Sequence, residues 1–446
     1  MTGIMQVFVA GVDKTDKTNW LTTLYNGTGS YSYSAAVDSS NNSYIVGLNN
    51  LYLEVASYDT TGAVRWQKQL GGGGSAYSGA IYDITVDSSG NLCVVGTYTG
   101  TGLYNRVIVA KYDSSGVIQW QRSLSSAFGE EYGYGVAVDT SGNIGVVGQY
   151  RESGVSNGFL IARYNSSGVL QWQRKLTSTS SVNGGYANKV IIVGGSLYIV
   201  GRYDLNTGGA TNPDIQIASY SSSGVIQWQR SLSGSSGTGE YGADITYEEI
   251  EQRLYITGYS NAFTDQSLII AKYNLSGVIQ WQRRLYSSGH TYTGSGIVGY
   301  DSYIYVCGYG NPIVGQNSRG VIAKYDTSGT LQWQRYFRAS NTVRIVRFTS
   351  IKIDSTYNLI VTGYTDETSG QKLTMFTVRV PSDGTKTGTY SLGGFDFIYE
   401  ASSLTDASTS FTDAASSLTS STISLTDAAT SLPEASSSLT INIKYM

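Results

Sequence analysis

An all-β, seven-bladed β-propeller of four-stranded antiparallel blades is the fold this sequence predicts. Two observations carry that expectation. The chain's seven tryptophans, Trp20, Trp66, Trp120, Trp172, Trp228, Trp281 and Trp333, recur at intervals of 46 to 56 residues. Most sit in one phrase, as in Val117-Ile118-Gln119-Trp120-Gln121-Arg122 and Val225-Ile226-Gln227-Trp228-Gln229-Arg230. A fixed period near fifty residues marks a repeat architecture. Each interval also holds short β-branched and aromatic runs separated by Asn/Asp/Ser/Gly clusters, which are strand and hairpin signals.

Residues 136–176 show the unit in order. Val136–Asp139 reads as a first strand, Thr140–Asn143 as a turn, and Ile144–Val147 as a second strand closed by Gly148. A loop follows, then Phe159–Tyr164 as a third strand, Asn165–Gly168 as a second turn, and Val169–Leu176 as a fourth strand. No sustained helical period interrupts the pattern. Closing such units into a ring removes the open edges that an array of hairpins would expose.

The turns Asp87-Ser88-Ser89-Gly90-Asn91 and Asp113-Ser114-Ser115-Gly116 resemble the bacterial SBBP β-propeller repeat. The run Ile269-Ile270-Ala271-Lys272-Tyr273 leading into Gly277-Val278-Ile279-Gln280-Trp281 does so too. The resemblance covers roughly residues 5–390 and implies the fold, not an activity. The chain starts inside a blade: Val7–Asp13 matches a third strand and Asn19-Trp20-Leu21 a fourth. N-terminal strands are therefore expected to close the ring against C-terminal ones. Met375–Val380 and Thr385–Leu392 supply a last third and fourth strand, and Phe395–Tyr399 leaves an eighth blade open.

Alternation along the fourth strand puts Ile118, Trp120, Arg122 and Leu124 on one face. The tryptophans are expected to fill the wedge between blades as the structural core of the repeat, with the following arginine against the ring as a cation–π partner. The turn aspartates suggest calcium, but Asx side chains cap their own turns, and a segment such as Asp139-Thr140-Ser141-Gly142-Asn143 offers one carboxylate where a calcium loop needs several oxygens. No metal and no cofactor is expected.

The connections sort into two sets. Turns between strands one and two, and three and four, are short and uniform. The others are long and variable, including Thr97–Asn105, Arg151–Gly158, Tyr203–Asp214, Asn311–Gly320 and the inter-blade stretches Gly71–Gly79 and Thr177–Tyr186. Variable loops on a rigid scaffold are where binding concentrates, so the long-loop face is the candidate recognition face. A tyrosine closes the second strand in most blades: Tyr98, Tyr150, Tyr203, Tyr259, Tyr309 and Tyr364. Two readings are open for this set: inter-blade packing, or an aromatic platform for a sugar or protein partner.

Little supports catalysis. The lone histidine, His290, lies in a loop and is expected to be exposed; it cannot build a zinc site or a triad by itself. Cys93 and Cys307 fall in second strands and read as small buried hydrophobes. The acid pairs Glu130-Glu131 and Glu248-Glu249-Ile250-Glu251 keep a two-carboxylate hydrolase in view as an alternative. A net charge of −3 without a basic tract argues against nucleic acid. No apolar run is long enough to span a membrane, and the first residues lack the features of a secretory signal.

After about residue 395 the composition changes, dividing the chain into a propeller, 1–395, and a tail, 396–446. Ser and Thr make up 21 of the 40 residues from Ala401 to Thr440, yet Leu404, Phe411, Leu418, Leu425, Leu432 and Leu439 recur every seven residues. Three positions later stand Ala407, Ala414, Ser421, Ala428, Ala435 and Asn442. A seven-residue apolar period is that of a coiled coil, but Ser/Thr content and Pro433 weaken a helix. A self-associating stalk, with a trimer favoured, extended segments laid on a partner, and disorder are the three expectations.

A display scaffold with such a tail is similar to virion proteins of tailed phages of marine bacteria, and the Ser-Leu-Thr-Asp-Ala-Ala repeats resemble phage fibre segments. That resemblance implies a non-enzymatic virion structural protein at the tail, baseplate or capsid surface, assembled in the host cytoplasm. It implies that the tail contacts other virion proteins and that the long-loop face contacts a host glycan or receptor. A bacterial surface or secreted adhesion propeller and a polysaccharide-degrading enzyme are the alternatives.

Overall fold

The computed structural model describes residues 19–445 apart from 26–29, 50–51, 71–76, 101–103, 127–129, 152–156, 178–183, 205–211, 235–237, 264, 312–317, 341–344, 367–372, 393–394, 410–411, 416–418, 423–425, 430–433 and 437–439; beyond residue 409 it describes backbone only. The segment Val7–Asp13 and the tips of most long loops lie outside the described residues. The rest is all β and forms seven sheets arranged as a seven-bladed propeller. Blade 1 spans Ser30–Leu70, blade 2 Tyr77–Ser125, blade 3 Tyr132–Thr177, blade 4 Gly184–Ser233, blade 5 Glu240–Tyr286 and blade 6 Thr291–Ala339. Blade 7 combines Val346–Ile353, Asn358–Asp366 and Leu373–Pro381 with the N-terminal strand Trp20–Tyr25. Ring closure is thus made by the first described strand pairing antiparallel to Leu373–Pro381, as the sequence leads one to expect.

Hydrophobic clusters sit between the blades. One joins Val46, Val55 and Leu70 of blade 1 to Ile81, Val94 and Ile108 of blade 2, and the arrangement repeats around the ring. Cys93 and Cys307 are fully buried in these layers, and burial pushes the Cys93 thiol up to about 12.

The tryptophans latch neighbouring blades together. Trp120 of blade 3's predecessor donates its indole N–H to the Ser166 carbonyl in the next blade's tight turn (3.3 Å), and Trp172 likewise to Ser222 (2.8 Å). Trp20, Trp66, Trp228 and Trp281 donate to Thr60, Ser114, Leu275 and Thr327 in the same way. Gly168, with φ +75°, brings its turn flat against the Trp120 ring; a Cβ there would lie 2.7 Å from the indole. The arginine two residues on clamps the same turn, as in Arg174 Nε to Gly224 O (2.9 Å). Its guanidinium also lies over its own blade's indole, Arg174 over Trp172 and Arg335 over Trp333 at 5.6 Å each. Trp333 lies against Gly384 with no partner for its N–H among the described residues.

The turn carboxylates are spent on the turns. Asp87 Oδ1 accepts the amides of Ser89 and Asn91 (2.9 and 2.8 Å), and its other oxygen pairs with Lys111 (3.0 Å). Asp139 does the same with Arg163, and Asp354 with Arg379. These are Asx caps, consistent with the reading that set calcium aside.

The tail departs from the coiled-coil expectation. Its repeats form short strands, each added antiparallel to the outer edge of a blade, and they visit the blades in reverse order. Phe395–Ala401 adds to blade 6, Thr405–Ser408 to blade 5, Thr412–Ala415 to blade 4, Thr419–Thr422 to blade 3, Thr426–Ala429 to blade 2, Glu434–Ser436 to blade 1 and Thr440–Tyr445 to blade 7. The register is constant. The residue two after each tryptophan faces Ala401, Ser408, Ala415, Thr422, Ala429, Ser436 and Ile443 in turn, so one seven-residue step equals one blade. Ala407, Ala414, Ser421, Ala428, Ala435 and Asn442 pair one position further along the outer strands.

Geometry explains the period. Neighbouring strands twist by about 20–25°, so a fifth strand is turned roughly 80–100° from the first and runs along the circumference. Seven extended residues reach about 23 Å at ~3.3 Å each, enough to step from one outer edge to the next. Leu404, in the step from blade 6 to blade 5, is 5% exposed and packs with Leu285, Tyr325 and Tyr336. Phe411, Leu418, Leu425, Leu432 and Leu439 occupy the same point of the repeat and lie outside the described residues.

Two further expectations are corrected. Gly388–Leu392 does not complete blade 7 as a fourth strand, and Phe395–Tyr399 does not begin an eighth blade. Together they form a hairpin on the outer edge of blade 6, anchored by Phe397 stacked on Phe337 at 5.3 Å. The place beside Leu373–Pro381 is already taken by the N-terminal strand, whose Trp20 is fully buried.

Candidate functional site: a tyrosine-lined cup at the channel mouth

Every innermost strand carries a β-bulge at the same height. The register of each first–second strand pair shifts around Tyr33, Tyr82, Tyr134, Asn188, Ala243, Ser295 and Thr349. The cause lies in the facing strand. Each second strand has a glycine opposite the bulge, and at Gly148 and Gly258 an added Cβ would stand 1.8 Å from the Tyr132 and Tyr241 carbonyl oxygens. A backbone that approaches this closely accepts only glycine, and the extra residue is then re-aimed by the bulge.

All the bulge residues line one cavity of about 330 Å³ on the central channel, towards the long-loop face. Tyrosines crowd one side of it. Tyr364 meets Tyr31 edge-on (5.2 Å), Tyr31 stacks near Tyr33 (6.5 Å), Tyr33 meets Tyr82 (4.9 Å), Tyr82 meets Tyr134 and Tyr134 meets Tyr186 (5.3 Å each). Arg202 continues the belt, its guanidinium 4.6 Å from the Tyr186 ring centre and 4.5 Å from that of Tyr241. Tyr241 stacks on Tyr259 at 4.4 Å. The opposite wall is small and polar, with Thr293, Ser295 and Thr349. Burial, then the neighbouring phenols, push the hydroxyls of Tyr33 and Tyr134 well up, so both remain protonated donors at neutral pH.

The six strand-closing tyrosines split into two groups. Tyr259, Tyr309 and Tyr364 directly follow the strand-two glycine. Tyr259 lines the cup, Tyr364 meets Tyr31 in the belt, and Tyr309 lies under Arg347 at 4.6 Å. Tyr98, Tyr150 and Tyr203 stand one residue later and point the other way, 5%, 6% and 0% exposed in the inter-blade layers. Adjacent strand residues face opposite sides, so packing is the role of this second group. The sequence reading also missed Tyr33, Tyr82, Tyr134 and Tyr186. Aligning the first strands on their facing glycines would have found them.

Below the cup, Lys189 separates it from a deeper cavity of about 320 Å³ that Asp83, Asp244 and Lys352 help line. Lys189 pairs with Asp83, which also accepts Ser34 Oγ (2.7 Å) and the Val136 amide (2.9 Å). Asp244 accepts the Ile297 amide at 3.0 Å. Burial works against the Lys189 charge, but Asp83 and Asp244 outweigh it and hold its pKa above the ordinary value. The acids singled out from sequence are not in the cup's described lining, though Glu130 accepts the hydroxyl of Tyr132, whose ring stacks on Tyr134. Glu248 caps a turn through the Ile250 and Glu251 amides, and Glu251 binds Lys272 and Thr327 at the short-turn end. Glu130 binds Arg151 at 2.8 Å. His290 is half-buried rather than exposed, its amide donating to the Ser287 carbonyl (3.2 Å).

Glu131 and Glu240 recur in equivalent Glu-Tyr-Gly triplets and are fully buried at the long-loop end. Glu240 accepts Ser260 Oγ at 2.8 Å while its second oxygen has no hydrogen-bond partner among the described residues. Burial raises the pKa of both acids. For an acid raised on folding, the stabilising contribution is complete below the unfolded pKa and is lost as pH rises through the folded one. Glu240→Gln is therefore expected to gain stability relative to the parent as pH rises from about 4 through neutrality. Urea unfolding at pH 4, 6 and 8 checks this, and a difference that stays constant with pH contradicts it.

No known protein family matches the chain, and no curated protein matches it. Among solved structures it is similar to a virginiamycin B lyase of Staphylococcus aureus at TM-score 0.46 and 12% identity, covering 80% of this chain and 99% of that one. A protein of unknown function from Dyadobacter fermentans gives TM-score 0.46 and 10% identity, covering 82% and 98%. The WD40 domain of SCAP from fission yeast gives 0.39 and 12%, covering 88% and 97%. No shared activity or site follows from likenesses of this size.

Proposed function

We propose that this protein is a non-enzymatic recognition scaffold of a tailed-phage virion, displayed at the tail, baseplate or capsid surface, whose channel-mouth cup binds a host-surface glycan. The observation that carries the glycan reading is the tyrosine belt on one wall of the cup, facing a small polar wall. Phenol rings offer flat apolar faces to sugar C–H groups and hydroxyls to sugar oxygens at low entropic cost. The cup volume lies at the low end of the roughly 300–1,000 Å³ range of small-molecule sites, suiting a terminal sugar. Asp83 and Asp244, which line the cavity below the cup, are engaged by Lys189 and backbone amides, which favours binding over hydrolysis. The virion setting rests on the likeness of the tail repeats to phage fibre segments.

The binding test uses the full chain with host cells and their purified surface polysaccharide. Tyr33→Ala and Tyr134→Ala are expected to weaken saturable binding by about tenfold or more each, at roughly 1–3 kcal/mol for a lost aromatic platform. Equal binding by parent and both variants would refute the cup as the site. Proteomics of purified particles tests the setting, and absence of the protein from them would remove it.

A further inference from the structure

We infer that the cup selects a saccharide bearing a carboxylate, and that Arg202 is the residue that reads it. This rests on the cup being a glycan site and adds the chemical class of its ligand.

The charges lining the cup are of one sign. Among the described residues Arg202 and Lys189 are its only ionised side chains, and no described Asp or Glu lines it. Lys189 is engaged by Asp83 below. Arg202 has no carboxylate partner and makes no side-chain hydrogen bond among the described residues; its contacts are the faces of Tyr186 and Tyr241. Held between two rings, the guanidinium is fixed in orientation while its N–H edge stays unclaimed. Such an edge matches a planar carboxylate with two parallel hydrogen bonds. The cation also occupies the position that holds Tyr259 in blade 5, directly after the strand-two glycine, so it belongs to the belt rather than to the outer rim. A sugar stacked on Tyr134 and Tyr186 with its carboxylate turned to Arg202 uses both walls of chemistry that the cup offers.

The test titrates the full chain with three probes by calorimetry: tetragalacturonate, its carboxyl-reduced counterpart, and a carrageenan tetrasaccharide carrying sulfate and no carboxylate. Tetragalacturonate is expected to bind about tenfold or more tighter than the reduced probe, in line with a charge-assisted pair. Arg202→Met, which keeps an unbranched apolar stem, is expected to erase that preference, and Arg202→Lys to restore part of it. Equal binding of charged and reduced probes overturns the carboxylate assignment and leaves the glycan reading standing. Tighter binding of the sulfated probe overturns the carboxylate as the group read. No binding of any probe overturns both. The comparison of probes on the parent protein decides the matter even if the variants fail to fold.

Discussion

A chain ending at Ser402 is expected to close its ring poorly and to aggregate. It would lose the fifth strand of blades 5, 4, 3, 2, 1 and 7 together. Magnitudes decide what that does. Each backbone hydrogen bond contributes a net ~0.5–1.5 kcal/mol, while ordering a residue costs about 1–2 kcal/mol. A four-residue strand therefore gains little by itself. Burying a plug such as Leu404 adds about 1.5–3 kcal/mol. The larger loss is topological. Six outer strands become bare edges, which template association between chains. Trp20–Tyr25, held between Leu373–Pro381 and Thr440–Tyr445, keeps one neighbour only, and it is the strand that closes the ring. The expected result is concentration-dependent aggregation, a melting point lower by about 5 °C or more, and faster amide exchange across Trp20–Tyr25. A monomeric product with the parent's melting point would contradict the girdle.

The counting rule can be tested within the same experiment. Deleting residues 412–418 removes one seven-residue step, so later repeats each move on by one blade and only blade 7 is left without its outer strand. Deleting 412–415 instead breaks the register at every later blade. Amide exchange should rise in blade 7 alone in the first case, and in blades 4, 3, 2, 1 and 7 in the second.

The tail also shows where sequence reasoning meets its limit. Its period is plain in Leu404 to Leu439, but two geometries share the number seven. One is two turns of a supercoiled helix. The other is the distance between blade edges on a seven-membered ring. Nothing local to the tail separates them, because the second depends on the radius of an object built from the other residues. Poor helix propensity and Pro433 pointed away from the helix without naming the ring. By contrast the blades were legible almost strand by strand, since the Trp phrase, the Asx turns and the alternation are local signals. The closing strand was legible for the same reason, since Trp20 carries the fourth-strand phrase at the head of the chain and the ring needs a partner for Leu373–Pro381.

The cup was half legible. Tyrosines at the ends of second strands stand out, yet grouping them by residue type mixed two registers, and a one-residue offset in a strand exchanges core for channel. Tyr98, Tyr150 and Tyr203 pack between blades for that reason, while Tyr259 and Tyr364 reach the belt. The landmark that sets the register is glycine. In the sequence it stands where a strand ends, whereas in the fold it admits the bulged carbonyl opposite.

Replacing that glycine should therefore do more than cost stability. In Gly148→Ala the new methyl would lie 1.8 Å from the Tyr132 carbonyl oxygen and 3.0 Å from the Gly133 Cα. Both are backbone atoms of the innermost strand, so no side-chain rotation relieves the clash. The strand must move away or give up its bulge. Losing the bulge shifts the register by one, which would turn Tyr134 out of the cup or bury polar atoms below it. A cost above about 3 kcal/mol is expected, at the upper end for overpacked sites. Gly90→Ala is the control. Gly90 has φ +79°, which an alanine adopts at a cost of about 1–2 kcal/mol, but its nearest neighbour is the Ser114 Cβ at 3.7 Å, so nothing else has to shift. The two variants should part in function as well as in stability. Gly90→Ala should melt modestly lower and keep the parent's glycan binding and tyrosine fluorescence, while Gly148→Ala should lose both along with much of its stability. If Gly148→Ala instead tracks Gly90→Ala in melting and in binding, the bulge is not what aims the belt into the channel, and the cup must be held by the tyrosine contacts alone.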